Sequence, residues 1–152
     1  MDKIEWCKRK EKGVRIIEPN DHIAGDYLRK SDDAIKVMAT SPAEDWKIVG
    51  AYYACYDALY ALLQKAGIKC EIHDCSIALM EFFGFSAEEK SFMVDLKNKR
   101  IDAQYYVNRE ARLGDANHIK DFVLKCKQII HTADFKDIRR EIIERLDGGG
   151  MK

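Results

Sequence analysis

Apolar residues recur at helical spacing along most of the chain. After Pro19, Asn20 or Asp21 stands where a helix cap belongs, and Ile23, Tyr27, Ala34 and Met38 follow at i, i+4, i+11 and i+15. Thr40-Ser41-Pro42 closes that helix and opens the next, with Ser41 as the expected cap and Pro42 in its first turn. From Glu44 to Ala66 the series Val49, Tyr53, Tyr56, Tyr60, Leu63 steps by four, three, four and three. A second row, Tyr52, Cys55, Leu59 and Leu62, runs beside it. Two adjacent rows make an apolar face wide enough for more than one neighbour, as expected of the central helix of an antiparallel bundle. Gly67 is its natural stop.

The pattern continues with a third helix over 72–83, broken at Gly84. Ser86 followed by Glu89 is a capping-box pair that opens a fourth helix, running to about Val107 and carrying Phe92, Met93, Leu96, Ala103 and Val107. A fifth begins near Asp115 and reads Ile119, Phe122, Val123, Cys126, Ile129, Ile130. Phe135, Ile138, Ile142 and Leu146 mark a short last helix before a run of three glycines. The expected fold is all-α: an up-and-down antiparallel bundle of four to five main helices plus a short C-terminal helix, over residues 20–147. Residues 1–19 read as a charged leader containing the apolar run GVRII, an extended segment with no evident partner, and residues 148–152 as a flexible tail.

Composition narrows the function. Of 152 residues, 26 are Lys or Arg and 26 Asp or Glu, so the formal charge is zero, which argues against broad coating of nucleic acid. A hydrophobic fraction of 47% supports a packed core, and only two prolines favour long helices. No apolar run approaches the ~18–20 residues that span a bilayer, and the charged start has no apolar stretch behind it, so no membrane partner, no export and a cytoplasmic location are expected. The five cysteines are accordingly expected to be reduced thiols, with Cys55 and Cys126 acting as small hydrophobes inside helical stripes.

Arg100 is the most informative position. It falls within the apolar row Met93, Leu96, Arg100, Ala103, Val107, and a buried guanidinium cannot shed its proton to become neutral. Two readings stay open: an arginine snorkelling from the core's rim, or a forked donor for phosphate or carboxylate. Residues 90–112 carry six positive side chains, Lys97 among them, against three negative ones, a net +3 in a neutral chain. Asp57, set among Tyr52, Tyr53, Tyr56 and Tyr60, is placed to answer Arg100 across the bundle, while the tyrosines themselves suit core packing or a dimer surface. Cys70, His73 and Cys75 put three soft or borderline ligands within six residues. Zinc wants a fourth, so they form only a weak metal set and neither metal nor cofactor is expected. His73 is expected to cap or pack at a helix start.

The segments GAYYACYDALYALLQKAGI, CEIHDCSIALMEFFGF and LKNKRIDAQYYV, in this order and spacing over about residues 20–130, resemble the HEPN domain family, more narrowly its small stand-alone prokaryotic members. The resemblance implies a bundle of four or five helices paired as a homodimer. Many relatives are metal-independent endoribonucleases, often toxins neutralised by a nucleotidyltransferase partner, in which an arginine holds the scissile phosphate and a histidine, with four to six residues between them, moves the proton. Arg100 matches that arginine, whereas Tyr105 and Tyr106 stand five and six residues on, where the histidine belongs. Tyr105 and Tyr106 are therefore candidates for the catalytic partner of Arg100, though a phenol is a poor base at neutral pH. The resemblance accordingly implies a non-catalytic homodimeric module whose cleft, built from Arg100, Asp102, Lys97 and Asp57, binds nucleotide or RNA phosphate. The alternative it carries is an endoribonuclease working with a nucleotidyltransferase-domain protein.

Overall fold

The computed structural model describes residues 2–149 and is an all-α bundle. Its helices are α1 (Lys3–Arg9), α2 (Asp21–Thr40), α3 (Glu44–Ala66), α4 (His73–Ala78), α5 (Ala87–Tyr105), α6 (Ala116–Thr132) and α7 (Phe135–Gly149). The expected third helix is divided: after α4 the chain tightens into a 3-10 turn, Leu79–Phe83, which Gly84 ends at φ 88°. Two short strands, β1 (Arg15–Ile16) and β2 (Ile68–Lys69), pair antiparallel, Ile16 opposite Ile68. This supplies the partner that GVRII lacked in the sequence.

α3 is the centre, buried along almost its whole length, with α2, α5 and α6 packed around it. α2 lies closest because the seam is made of small groups. Ala51, Ala54 and Ala58 of α3 are fully buried, and a Cβ added at Gly50 would come within 2.9 Å of the Met38 backbone nitrogen. Ser31, buried in the seam, donates its hydroxyl to the Ala54 carbonyl at 2.7 Å. Burying that hydroxyl costs little because it is satisfied.

Local chemistry sets the helix ends. Asn20 caps α2, its side chain accepting from the Ile23 amide at 2.9 Å. Ser86 and Glu89 form the complete reciprocal capping box at the start of α5. Gly67 ends α3 in the left-handed region at φ 75°. The cap of α3 is Ala43 rather than Ser41, whose hydroxyl instead accepts from the Ala43 amide at 3.3 Å. α5 stops at Tyr105, so Val107 lies beyond the helix and is fully exposed. At the other end of the chain, Gly148 and Gly149 continue α7, and the rest of the expected tail, 150–152, lies outside the described residues.

The leader is part of the domain, and the cysteines depart from expectation. Ile4 and Cys7 of α1 are buried, and Cys7 is disulfide-bonded to Cys75 of α4, with Cα atoms 5.8 Å apart. Packing of α1 on α4 brings together two thiols separated by 68 positions, so not all five cysteines are reduced. Cys55, Cys70 and Cys126 remain free thiols, all buried. No helix among the described residues is long and apolar enough to cross a membrane.

Candidate functional site

The tyrosines of α3 position the site. Tyr52, Tyr56 and Tyr60, four residues apart, lie on one face and direct their hydroxyls at the segment that follows β2. Tyr52 bonds His73 Nδ1 at 2.7 Å, Tyr56 bonds the Ser76 hydroxyl at 2.9 Å, and Tyr60 accepts from the Cys70 amide at 3.2 Å. The row is thus core with three polar tips, and it latches α4 onto α3. The His73 ring stacks on Tyr56 with centroids 3.9 Å apart, so the histidine packs at the start of α4, where the N-cap is Ile72.

Arg100 reaches the same place from α5. It is 9% exposed, and its guanidinium carbon lies 4.8 Å from the centre of the Tyr52 ring and 5.7 Å from that of Tyr53. Its one side-chain hydrogen bond runs from Nη1 to the Gln104 amide oxygen at 3.3 Å, and the buried Nε has no partner among the described residues. Nearby charge is divided unevenly. Lys97 is ion-paired with Asp74, which Lys3 of α1 also approaches at 3.9 Å. The Asp74 carboxylate is therefore answered by two lysines, and Arg100 is left uncompensated. Burial, together with the positive charges of Arg100 and Lys97, holds the His73 imidazole below its ordinary pKa, and Asp74 only partly opposes this. The Tyr52 phenol is pushed far above its ordinary range by burial. The site thus brings Arg100 together with a neutral imidazole, protonated phenols and the half-buried Tyr53. Chemically it can take an oxyanion on the guanidinium and lay a flat group against the aromatic rings.

The other residues singled out in the sequence fall elsewhere. Asp57 forms no ion pair with Arg100; it is half-buried, influenced by Lys30 of α2, and burial pushes its carboxyl up to about 6. Asp102 is paired with Arg109 at 3.0 Å, and the Arg109 guanidinium lies 3.9 Å over the ring of Tyr106. Tyr105, the last residue of α5, and Tyr106, its C-cap, are both exposed. Of the weak metal set, Cys75 has its sulfur in the disulfide and Cys70 is buried against Tyr60, with burial raising its thiol to about 12. No group of metal-binding side chains is gathered among the described residues. His73 and Tyr52 are the residues of the site that spacing alone did not bring to Arg100. The signal available was a histidine just after a tyrosine-rich helix, which says nothing of which helix it will face. In comparison with known proteins, no family model, curated protein or solved structure matches the chain.

Proposed function

We propose that this chain is a HEPN-like module that works as a homodimer and binds the phosphate of a nucleotide or RNA in the cleft between α3 and α5, without catalysing a reaction on it. The observation that carries the reading is Arg100: nine-tenths buried, facing two tyrosine rings and, among the described residues, with no carboxylate to neutralise it and no partner for its Nε. A guanidinium held this way retains its desolvation cost within the fold, and an oxyanion supplies the missing acceptors. Exposed Trp46, Tyr105, Tyr106 and Val107 offer apolar surface for pairing two copies. Calorimetric titration with ATP and with a short RNA, beside Arg100→Ala, tests the site, and sedimentation tests the dimer. Binding by the wild type that the variant loses supports the reading. If neither ligand binds and the variant changes only stability, the arginine is a core residue at the rim and the reading fails.

One observation favours a second reading. His73 shares Tyr52 with Arg100, so an arginine and a histidine meet even though the local histidine is missing. That pair would suit a metal-independent endoribonuclease controlled by a nucleotidyltransferase-domain partner. Cleavage of mixed RNA by metal-free wild type, abolished in both Arg100→Ala and His73→Ala, would favour the enzyme over the binding module.

A further inference from the structure

The polar groups around Tyr52 have only one consistent hydrogen-bond arrangement. Its hydroxyl is buried and sits 2.7 Å from His73 Nδ1, and the Arg100 guanidinium over its ring carries donors and no acceptor. Among the described residues the phenolic proton therefore has one acceptor, the imidazole Nδ1. If Nδ1 carried the proton instead, the buried O–H would be left without an acceptor. With Nδ1 accepting, a neutral ring bears its proton on Nε2. The surroundings oppose a second proton. Lys97 and Arg100 face the ring from α5, and Tyr52, Tyr53 and Tyr56 face it from α3. Asp74, on the histidine's own helix, is occupied by Lys97 and by Lys3 of α1.

We infer that His73 is a second anion-binding residue of the Arg100 cleft, locked by Tyr52 as a neutral imidazole that offers Nε2–H to the ligand. The inference rests on the reading of that cleft as a phosphate site, and it sharpens that reading. A ring whose Nδ1 is engaged by Tyr52 and whose Nε2 is protonated has no free lone pair to take a proton from an attacking hydroxyl. His73 then serves binding and is not poised as a general base. It also limits the ligand. Lys97 is paired with Asp74 and His73 is neutral, so Arg100 is the charge that meets the ligand directly, which suits an oxyanion such as a phosphodiester.

The test is a long-range proton–nitrogen correlation spectrum of ¹⁵N-histidine-labelled wild-type protein at pH 7, followed by titration with dimethyl phosphate. The expected spectrum shows His73 with an unprotonated Nδ1 and a protonated Nε2. Added dimethyl phosphate then shifts both the His73 Nε2 and Arg100 Nε signals. Tyr52→Phe, which keeps the ring and removes the hydroxyl, loses the fixed tautomer and binds the diester about ten-fold more weakly. A protonated Nδ1, or an imidazolium at pH 7, overturns the inference without any variant. A ligand that moves Arg100 but not His73 overturns it while leaving the Arg100 site standing. A ligand that moves neither removes both.

Discussion

Two arginines in this molecule solve the same problem in opposite ways. Arg139 of α7 directs one guanidinium nitrogen at three backbone carbonyls, those of Ile17 at 2.7 Å, Ala66 at 3.0 Å and Gly67 at 2.9 Å. Two of these close α3, where the last carbonyls lack partners within the helix and carry a partial negative charge, and that of Gly67 also accepts from the Ile17 amide at 2.9 Å. Arg139 therefore ties β1, the end of α3 and α7 together, and its charge is answered by the fold. Arg100, which is more deeply buried, has one long contact to Gln104, two aromatic faces and an orphaned Nε. A chain that satisfies one guanidinium with three carbonyls leaves the other wanting acceptors. The contrast separates an arginine whose donors the fold satisfies from one whose acceptors the fold does not supply.

The comparison is sharpened first by removing what fastens each region. On the Arg100 side, the Cys7–Cys75 bond fixes α1 against the helix that carries His73. Replacing both cysteines by serine should lower stability by about 4 kcal/mol, the chain-entropy value for a loop of this length, read from urea unfolding. On the other side, Arg139→Met strands the Ile17 and Ala66 carbonyls, while Gly67 still accepts from the Ile17 amide at 2.9 Å, and should cost about 2 kcal/mol while leaving anion affinity unchanged. Equal losses of binding in Arg139→Met and Arg100→Met would erase the distinction. Arg100→Met should move stability in the opposite direction, leaving it unchanged or raising it by about 1 to 2 kcal/mol, because an uncompensated buried charge gives way to an apolar chain of similar length. A loss as large as that of Arg139→Met would show that Arg100 is structural.

The smallest effect concerns Asp57, the carboxylate once expected to neutralise Arg100. Its pKa in the fold, about 6, lies above the unfolded value of 3.8, so the folded state holds this proton more tightly. Its contribution is full below pH 3.8, declines as pH rises to about 6 and is flat beyond. Asp57→Asn should abolish that decline, gaining under about 1 kcal/mol over the wild type at pH 7 once partial exposure is allowed for. The same gain with loss of anion binding would place Asp57 at the cleft after all.

Much of the fold could be read from residues alone because its signals are local. The double apolar row of α3, the Ser86–Glu89 box and Gly67 each act within a few positions of themselves. What escaped depends on distant chain segments. Two-residue strands such as Arg15–Ile16 have no period to detect, and Cys7 meets Cys75 only because α1 packs on α4. Arg100 was legible because a charge in an apolar row is anomalous wherever the helix goes. Its companions were not, since proximity of His73 to Arg100 arises from tyrosine hydroxyls latching α4 beneath α5. Asp102 and Tyr105 share α5 with Arg100 and Tyr106 caps it, but Asp102 and Tyr106 engage Arg109 and Tyr105 is exposed to solvent.

The central claim is that Arg100 is buried for a ligand. One calorimetric titration of ATP and a short RNA into wild-type and Arg100→Met protein, each first shown to be folded, tests it most directly. The account predicts binding to the wild type and none to a variant that is at least as stable. Equal binding by the two proteins, or no binding by either with a destabilised variant, would contradict it.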